Sequence, residues 1–138
     1  MVELSLNYWA LIVAAVANMA IGFLWYGPLF GKQWKKLMGF TDESLKNMPL
    51  SATSAMALGA VNSLVIAFML FYFTAPWVSI TLGGAVMGAF WIWLGFVATT
   101  QIGSFLWEGK SIKLFFLNVA YSLVAYSVMA VILVLWQG

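Results

Sequence analysis

The stretch LNYWALIVAAVANMAIGFLWY, residues Leu6–Tyr26, contains no charged side chain. As an α-helix with a rise of about 1.5 Å per residue it would be roughly 31 Å long, and the hydrocarbon core of a bilayer is about 30 Å thick. Only helices and closed barrels satisfy every backbone hydrogen bond in lipid, and this stretch lacks the alternating polarity of a barrel strand. It therefore predicts a membrane-spanning helix.

Three further apolar runs follow the first, at Leu50–Phe73, Val78–Leu106 and Ile112–Trp136. Charged residues make up 7% of the chain, whereas soluble domains carry about 25%. The chain therefore has too few charged side chains to cover a surface that faces water. The third run would be about 43 Å long as a helix and is expected to tilt or protrude. The sequence predicts an all-α polytopic membrane protein, with residues 1–138 forming a single domain of four transmembrane helices.

Several chemistries are excluded by residue types that the sequence lacks. There is no cysteine and no histidine, which excludes disulfides, thiol chemistry, cysteine-ligated zinc and Ser–His catalysis. Every cationic side chain is a lysine, so bidentate arginine clamps on phosphate are absent. We expect no catalytic residue, no metal and no cofactor, and therefore a protein that is not an enzyme.

The lysines indicate how the chain is oriented. They lie in or beside the first and third connections between the apolar runs: Lys32, Lys35, Lys36, Lys46, Lys110 and Lys113. Four spans place these two connections on the same side, and lysine-rich connections stay in the cytoplasm. We expect a multi-pass protein of the inner (cytoplasmic) membrane with both termini outside. The lysines would contact anionic lipid headgroups, and no nucleic-acid partner is expected.

The first connection contains the pattern of a short amphipathic helix. Apolar residues recur there at helical spacing, at Phe30, Trp34 and Leu37, which predicts an interfacial helix between the first and second spans. Gly39 is expected to end this helix and Thr41 to cap a following turn.

Two other connections carry turn signals. Ala75-Pro76 predicts a tight turn between the second and third spans. Gly109 predicts the turn before the fourth span, and Ser111 is expected to cap that helix.

Small and polar residues mark the expected contact faces of the spans. Ala10, Ala14, Asn18 and Gly22 recur at four-residue spacing, which favours close packing of helices in a bundle. Asn18 and Asn62 both fall near the centre of a span. Each either forms an interhelical hydrogen bond that sets the register, or lines a polar path or a site for a neutral ligand.

A second polar group is expected nearer the cytoplasm. It comprises Tyr26 of the first span, Thr99 and Gln101 of the third, and Asn118, Tyr121 and Ser122 of the fourth. The third and fourth spans are antiparallel neighbours, so these residues lie at similar depth. They either form a small pocket open to the cytoplasm or only join the helices.

A candidate cytoplasmic elbow combines the two connections that bear the lysines. It comprises Pro28, Lys32, Trp34, Glu108 and Lys110. Glu108 is the only carboxylate near the second polar group, and it is expected to pair with Lys110 or Lys113. Because polar, aromatic and charged residues concentrate here, the elbow is our hypothesis for the working surface.

Several blocks of the sequence resemble a known family. They are LWYGPLFGKQW at Leu24–Trp34, GFTDE at Gly39–Glu43 and WLGFVATT at Trp93–Thr100, followed by single matches as far as Asn118. This pattern is similar to domain-of-unknown-function family 1761, a group of small prokaryotic membrane proteins. The resemblance implies four spans and adds no catalytic residue. The family pattern has a histidine where this chain has Ser122, so any chemistry of that histidine would be absent here.

The leading functional hypothesis is a non-enzymatic structural or interaction module that self-associates as a homo-oligomer. One alternative is a channel or facilitator for a small neutral solute, which a hydrated route joining Asn18, Asn62 and Asn118 would favour. The other is a membrane subunit that binds a lipid or another hydrophobic ligand.

Overall fold

The computed structural model describes residues 6–74 and 81–136, and these are helical with no strand among them. Four helical stretches are long and apolar enough to cross a membrane. We call them the first to fourth spans, and they cover Tyr8–Leu29, Ala52–Thr74, Leu82–Trp107 and Ile112–Leu135. The predicted all-α class with four transmembrane helices is therefore confirmed. The predicted turn at Ala75-Pro76 and both termini, at 1–5 and 137–138, lie outside the described residues.

Eight α-helices make up the spans and the connections. They are α1 (Tyr8–Leu24), α2 (Gly31–Met38), α3 (Asp42–Lys46), α4 (Ala52–Thr74), α5 (Leu82–Ile92), α6 (Thr99–Gln101), α7 (Gly103–Trp107) and α8 (Ile112–Leu135). Two π-helical segments join them, Trp25–Leu29 after α1 and Trp93–Ala98 after α5. The second and fourth spans are thus single helices, whereas the first and third are interrupted.

Polar side chains cap the helices as their residue types predict. Asn7 Oδ1 accepts the backbone N–H of Trp9 at 2.9 Å at the start of α1. Ser111 Oγ accepts the backbone N–H of Lys113 at 3.1 Å at the start of α8, after a turn in which Gly109 has a φ of 69°. The predicted turn and cap before the fourth span are confirmed, because a left-handed residue favours glycine.

The first connection holds α2 and α3. Helix α2 ends at Gly39, whose φ of 73° is left-handed, as expected of a glycine C-cap. Thr41 then caps α3 by accepting the backbone N–H of Ser44 at 3.1 Å, and the Ser44 hydroxyl oxygen accepts the N–H of Thr41 in return. The predicted end of the helix and the predicted cap are confirmed. That α2 lies on a membrane surface stays a prediction.

The first span bends where it meets α2. Pro28 has no backbone N–H to donate, and the Phe30 N–H donates to the Trp25 carbonyl five residues earlier, at 2.9 Å. Gly27 leaves helical geometry, with φ −110° and ψ −105°. This bend turns the chain from the first span into α2.

The fourth span lies at the centre of the bundle and packs against the other three. Small residues let the backbones approach, and Ala14, Ala67 and Ala85 are fully buried. The main core adds larger side chains between the first, second and fourth spans: Leu70, Phe71, Met129 and Leu133. In lipid such close packing, rather than expulsion of water, holds the helices together.

Candidate functional site

A buried asparagine joins three of the four spans. Asn18, on the first span, is 6% exposed. Its Nδ2 donates to Ser63 Oγ of the second span at 2.8 Å, and its Oδ1 accepts the Tyr121 hydroxyl of the fourth span at 2.6 Å. Both ends of the amide are thereby bonded to other spans, so Asn18 forms the interhelical hydrogen bonds of the first alternative.

The other mid-span asparagine has a different environment. Asn62 is exposed on the second span, and within residues 6–74 and 81–136 its side chain has no hydrogen-bond partner. It borders a groove of about 340 Å³ between the first and second spans. The groove is lined by Asn18, Met19, Gly22, Phe23, Ala55, Met56, Gly59, Asn62, Ser63 and Tyr121. Of the two alternatives for Asn62, the interhelical hydrogen bond is not formed among residues 6–74 and 81–136.

The bend after the first span is attached to the fourth span by two hydrogen bonds. The Tyr26 hydroxyl donates to Asn118 Oδ1 at 2.7 Å, and Trp25 Nε1 donates to the Leu117 carbonyl at 3.1 Å. The Tyr26 ring also lies edge-on to Trp34 of α2, with centroids 5.6 Å apart. These contacts place α2 beside the fourth span.

A second cavity, of about 380 Å³, lies where the third span turns into the fourth. We call it the loop cavity. It is lined by Thr100, Gln101, Gly103, Ser104, Trp107, Glu108, Phe115 and Asn118. Gln101 and Asn118, two residues of the polar group expected from sequence, border it. Which side of a membrane it faces stays a prediction.

Four of the expected pocket residues do not line this cavity. Tyr26 bonds Asn118 but does not itself border the cavity. Thr99 is exposed, and its hydroxyl donates to the Gly95 carbonyl of its own helix at 2.7 Å. Tyr121 borders the groove instead. Ser122 is buried and accepts a long hydrogen bond from Gln101 Nε2 at 3.4 Å. Because neighbouring helical positions differ in direction by about 100°, residues of similar depth do not share one face.

The elbow residues are only partly brought together. Trp34 packs on Tyr26, whereas Pro28 and Lys32 are exposed. The expected pairing of Glu108 with Lys110 or Lys113 is wrong, because Glu108 forms no ion pair within the described parts of the chain. An exposed pair of this kind would contribute little free energy, so nothing forces the two side chains together. Glu108 borders the loop cavity instead.

Sequence reasoning missed several residues that complete these arrangements. Ser63 was not a candidate, although it bonds Asn18 from 45 positions away along the chain. The indole Nε1 of Trp93 donates to the Val119 carbonyl at 2.8 Å, between the third and fourth spans. A tryptophan N–H inside a membrane needs an acceptor, and this rule was the available signal for Trp25 and Trp93.

The fold and these contacts define a small polytopic membrane protein whose four spans are joined by buried and half-buried amide, hydroxyl and indole groups. The chain belongs to the family described as "Protein of unknown function (DUF1761)", whose sequence model matches residues 9–134. The resemblance carried by the blocks from Leu24 to Asn118 is thereby confirmed. No curated protein and no solved structure matches the chain.

Proposed function

We propose that the protein is a non-enzymatic structural module of the inner membrane that self-associates through the open face of its second span. The observation that carries the proposal is Asn62, an exposed mid-span amide without a hydrogen-bond partner among residues 6–74 and 81–136. The absence of histidine and cysteine supports the non-enzymatic part. The six lysines support an inner-membrane location with the lysine-bearing connections in the cytoplasm.

An unpaired amide inside a membrane favours contact with a second copy of the chain. An unsatisfied polar group in hydrocarbon costs several kcal/mol, so Asn62 needs a partner in the membrane. A carboxamide offers donors and an acceptor at once, and is therefore complementary to itself. In a two-fold arrangement the same face of each copy meets its counterpart, which would bring Asn62 to Asn62.

The surroundings of Asn62 suit such a contact. The half of the second span from Ala52 to Asn62 is exposed apart from partly buried Gly59. Small side chains lie on the groove side of Asn62, at Ala55 and Gly59. Small residues let two membrane helices approach closely enough for a hydrogen bond between them.

Replacement of Asn62 by leucine is expected to weaken self-association about tenfold, since an interhelical amide contact in a membrane contributes about 1–2 kcal/mol. The measurement is native mass spectrometry of the protein released gently from its own membranes. Wild type is expected at a multiple of 15.2 kDa, and Asn62→Leu should shift toward one copy.

A matched control is Thr53→Val, which also removes an exposed polar group from the second span. It is expected to leave the mass distribution unchanged. A wild-type protein found only at the mass of one copy would contradict the proposal, as would an Asn62→Leu variant that associates like wild type.

A second candidate function is binding of a neutral, membrane-soluble ligand in the groove. Its support is the lining, in which the amides of Asn18 and Asn62 lie among apolar side chains such as Met19 and Phe23. The same mass measurement distinguishes ligand binding from self-association, because such a ligand would add a defined mass to a single copy. The facilitator hypothesis has no comparable support, because both ends of the Asn18 amide and Oδ1 of Asn118 are already bonded.

A further inference from the structure

The hydroxyl groups of the loop cavity are oriented as hydrogen-bond acceptors. The Ser104 hydroxyl donates to the Gln101 carbonyl at 2.9 Å. The Thr100 hydroxyl donates to the Phe96 carbonyl one turn earlier. Each hydroxyl proton is thereby donated to a backbone carbonyl. The hydroxyl oxygen retains lone pairs that can accept a further hydrogen bond. Both residues therefore offer acceptors to the cavity.

The amide of Gln101 is oriented in the same sense. The Ser122 hydroxyl donates its only proton to the Asn118 backbone carbonyl, at 3.1 Å. Ser122 Oγ then accepts from Gln101 Nε2, at 3.4 Å, and Gln101 Oε1 has no hydrogen-bond partner among residues 6–74 and 81–136. A third acceptor therefore borders the loop cavity.

Glu108 adds the only carboxylate to this lining. Within residues 6–74 and 81–136 it has no ion-pair partner. A carboxylate, an amide oxygen and two hydroxyl oxygens outnumber the donor in this lining, the Nδ2 of Asn118, whose Oδ1 accepts from Tyr26. The exposed Glu108 carboxylate gives the lining its negative charge. Its chemistry therefore favours a cation that carries several N–H donors.

An ammonium group fits this lining better than a metal ion does. Calcium takes about six to eight oxygen ligands within about 2.6 Å, whereas the loop cavity measures about 380 Å³ and has a single carboxylate. The described residues contain no cluster of three metal-binding side chains. Trp107 and Phe115 also border the cavity, and aromatic rings attract organic cations.

The position of the cavity indicates where such an ammonium group comes from. The cavity lies at the end of a span, beside Trp107, which is 86% exposed, and tryptophan concentrates at the membrane–water interface. Lys110 and Lys113 follow Glu108 in the chain and supply the positive charge that a phosphate needs. A negative cavity flanked by lysines complements a zwitterionic headgroup with a terminal ammonium.

We infer that the loop cavity binds the headgroup of phosphatidylethanolamine. Its primary ammonium donates to Glu108, Gln101 and the hydroxyl oxygens, and its phosphate lies toward Lys110 and Lys113. Phosphatidylcholine, whose quaternary ammonium has no N–H, cannot make these hydrogen bonds. This binding is independent of self-association through the second span.

The test is native mass spectrometry of the full chain reconstituted in vesicles of equal phosphatidylethanolamine, phosphatidylcholine and phosphatidylglycerol. Wild type is expected to retain phosphatidylethanolamine about tenfold more often than phosphatidylcholine, since a charge-assisted hydrogen bond contributes at least that factor. Glu108→Gln, which removes the charge at nearly constant shape, should abolish the preference. Glu43→Gln, in exposed α3, is the matched control and should keep it.

Three results would overturn the inference. The first is equal retention of phosphatidylethanolamine and phosphatidylcholine by wild type, a comparison that needs no variant. The second is an unchanged preference in Glu108→Gln. The third is displacement of the lipid by millimolar sodium, potassium or calcium, which would assign the cavity to a metal cation.

Discussion

Replacing Asn18 by leucine is expected to lower the free energy of unfolding by about 2 kcal/mol, or about thirtyfold in the unfolding equilibrium. The substitution removes two hydrogen bonds that join three spans, those to Ser63 and Tyr121. The Ser63 hydroxyl can turn back to a carbonyl of its own helix. The Tyr121 hydroxyl loses its short acceptor and keeps only the backbone carbonyl of position 18, which lies 3.4 Å away in the wild type. The measurement is denaturation in mixed micelles, followed by circular dichroism.

Two further variants determine whether the loss comes from these bonds. Tyr121→Phe removes the contacts of the Tyr121 hydroxyl with Asn18 but keeps the bond between Asn18 and Ser63. It is expected to cost about 1 kcal/mol. Asn62→Leu replaces an asparagine that has no hydrogen-bond partner in the part of the chain that the structure describes, and it should leave the stability of the monomer unchanged. If Asn18→Leu unfolded at the same denaturant concentration as wild type, the three-span junction would have no structural role.

Replacing Gly31 by alanine is expected to destabilise the protein by about 2 kcal/mol through overpacking. A Cβ atom at this position would lie 2.7 Å from the Tyr26 carbonyl oxygen and 3.2 Å from its carbonyl carbon. Both are backbone atoms, so no flexible side chain can move aside. Relief requires α2 to move away from the bend, which would pull Tyr26 from Asn118.

The control for this steric effect is Gly95→Ala in the third span, where an added Cβ would meet nothing within 4 Å. It should be neutral or slightly stabilising. Tyr26→Phe separates the hydrogen bond from the steric effect, since it removes only the bond to Asn118. The same micelle denaturation applies to all three variants. Equal stability of Gly31→Ala and wild type would show that the bend tolerates a wider separation.

The spans and their caps follow from local chemistry and could therefore be predicted. A long uncharged apolar run predicts a helix that crosses the lipid bilayer. The residues Gly39, Thr41 and Ser111 end or begin helices through their own backbone or side-chain geometry. None of these features depends on which neighbour a helix meets.

The two mid-span asparagines show what such reasoning cannot reach. Asn18 and Asn62 occupy similar depths in similar apolar surroundings. Ser63 faces the first span and bonds Asn18, and Asn62, about 100° further round the helix, is exposed. The rotation of each helix about its axis is set by the packing of all four spans, and no local pattern encodes it.

The loop cavity was predicted in part for the same reason. Gln101 and Asn118 were expected at one depth, and they do border one cavity. The direction of Glu108 depends on the turn through Gly109, and the charges along the chain favoured a lysine partner instead. A charge pattern identifies available partners but not the direction in which a side chain points.

The central place of the fourth span has a consequence for biogenesis. The first three spans leave the ribosome before it, yet Tyr121, Asn118 and the Val119 carbonyl, which hold Asn18, Tyr26 and Trp93, all belong to the fourth. These polar groups of the earlier spans therefore lie in the bilayer without these hydrogen-bond partners until the fourth span is inserted. A nascent chain that stops before Ile112 would lack all three contacts, so membrane quality control could distinguish it from the finished bundle.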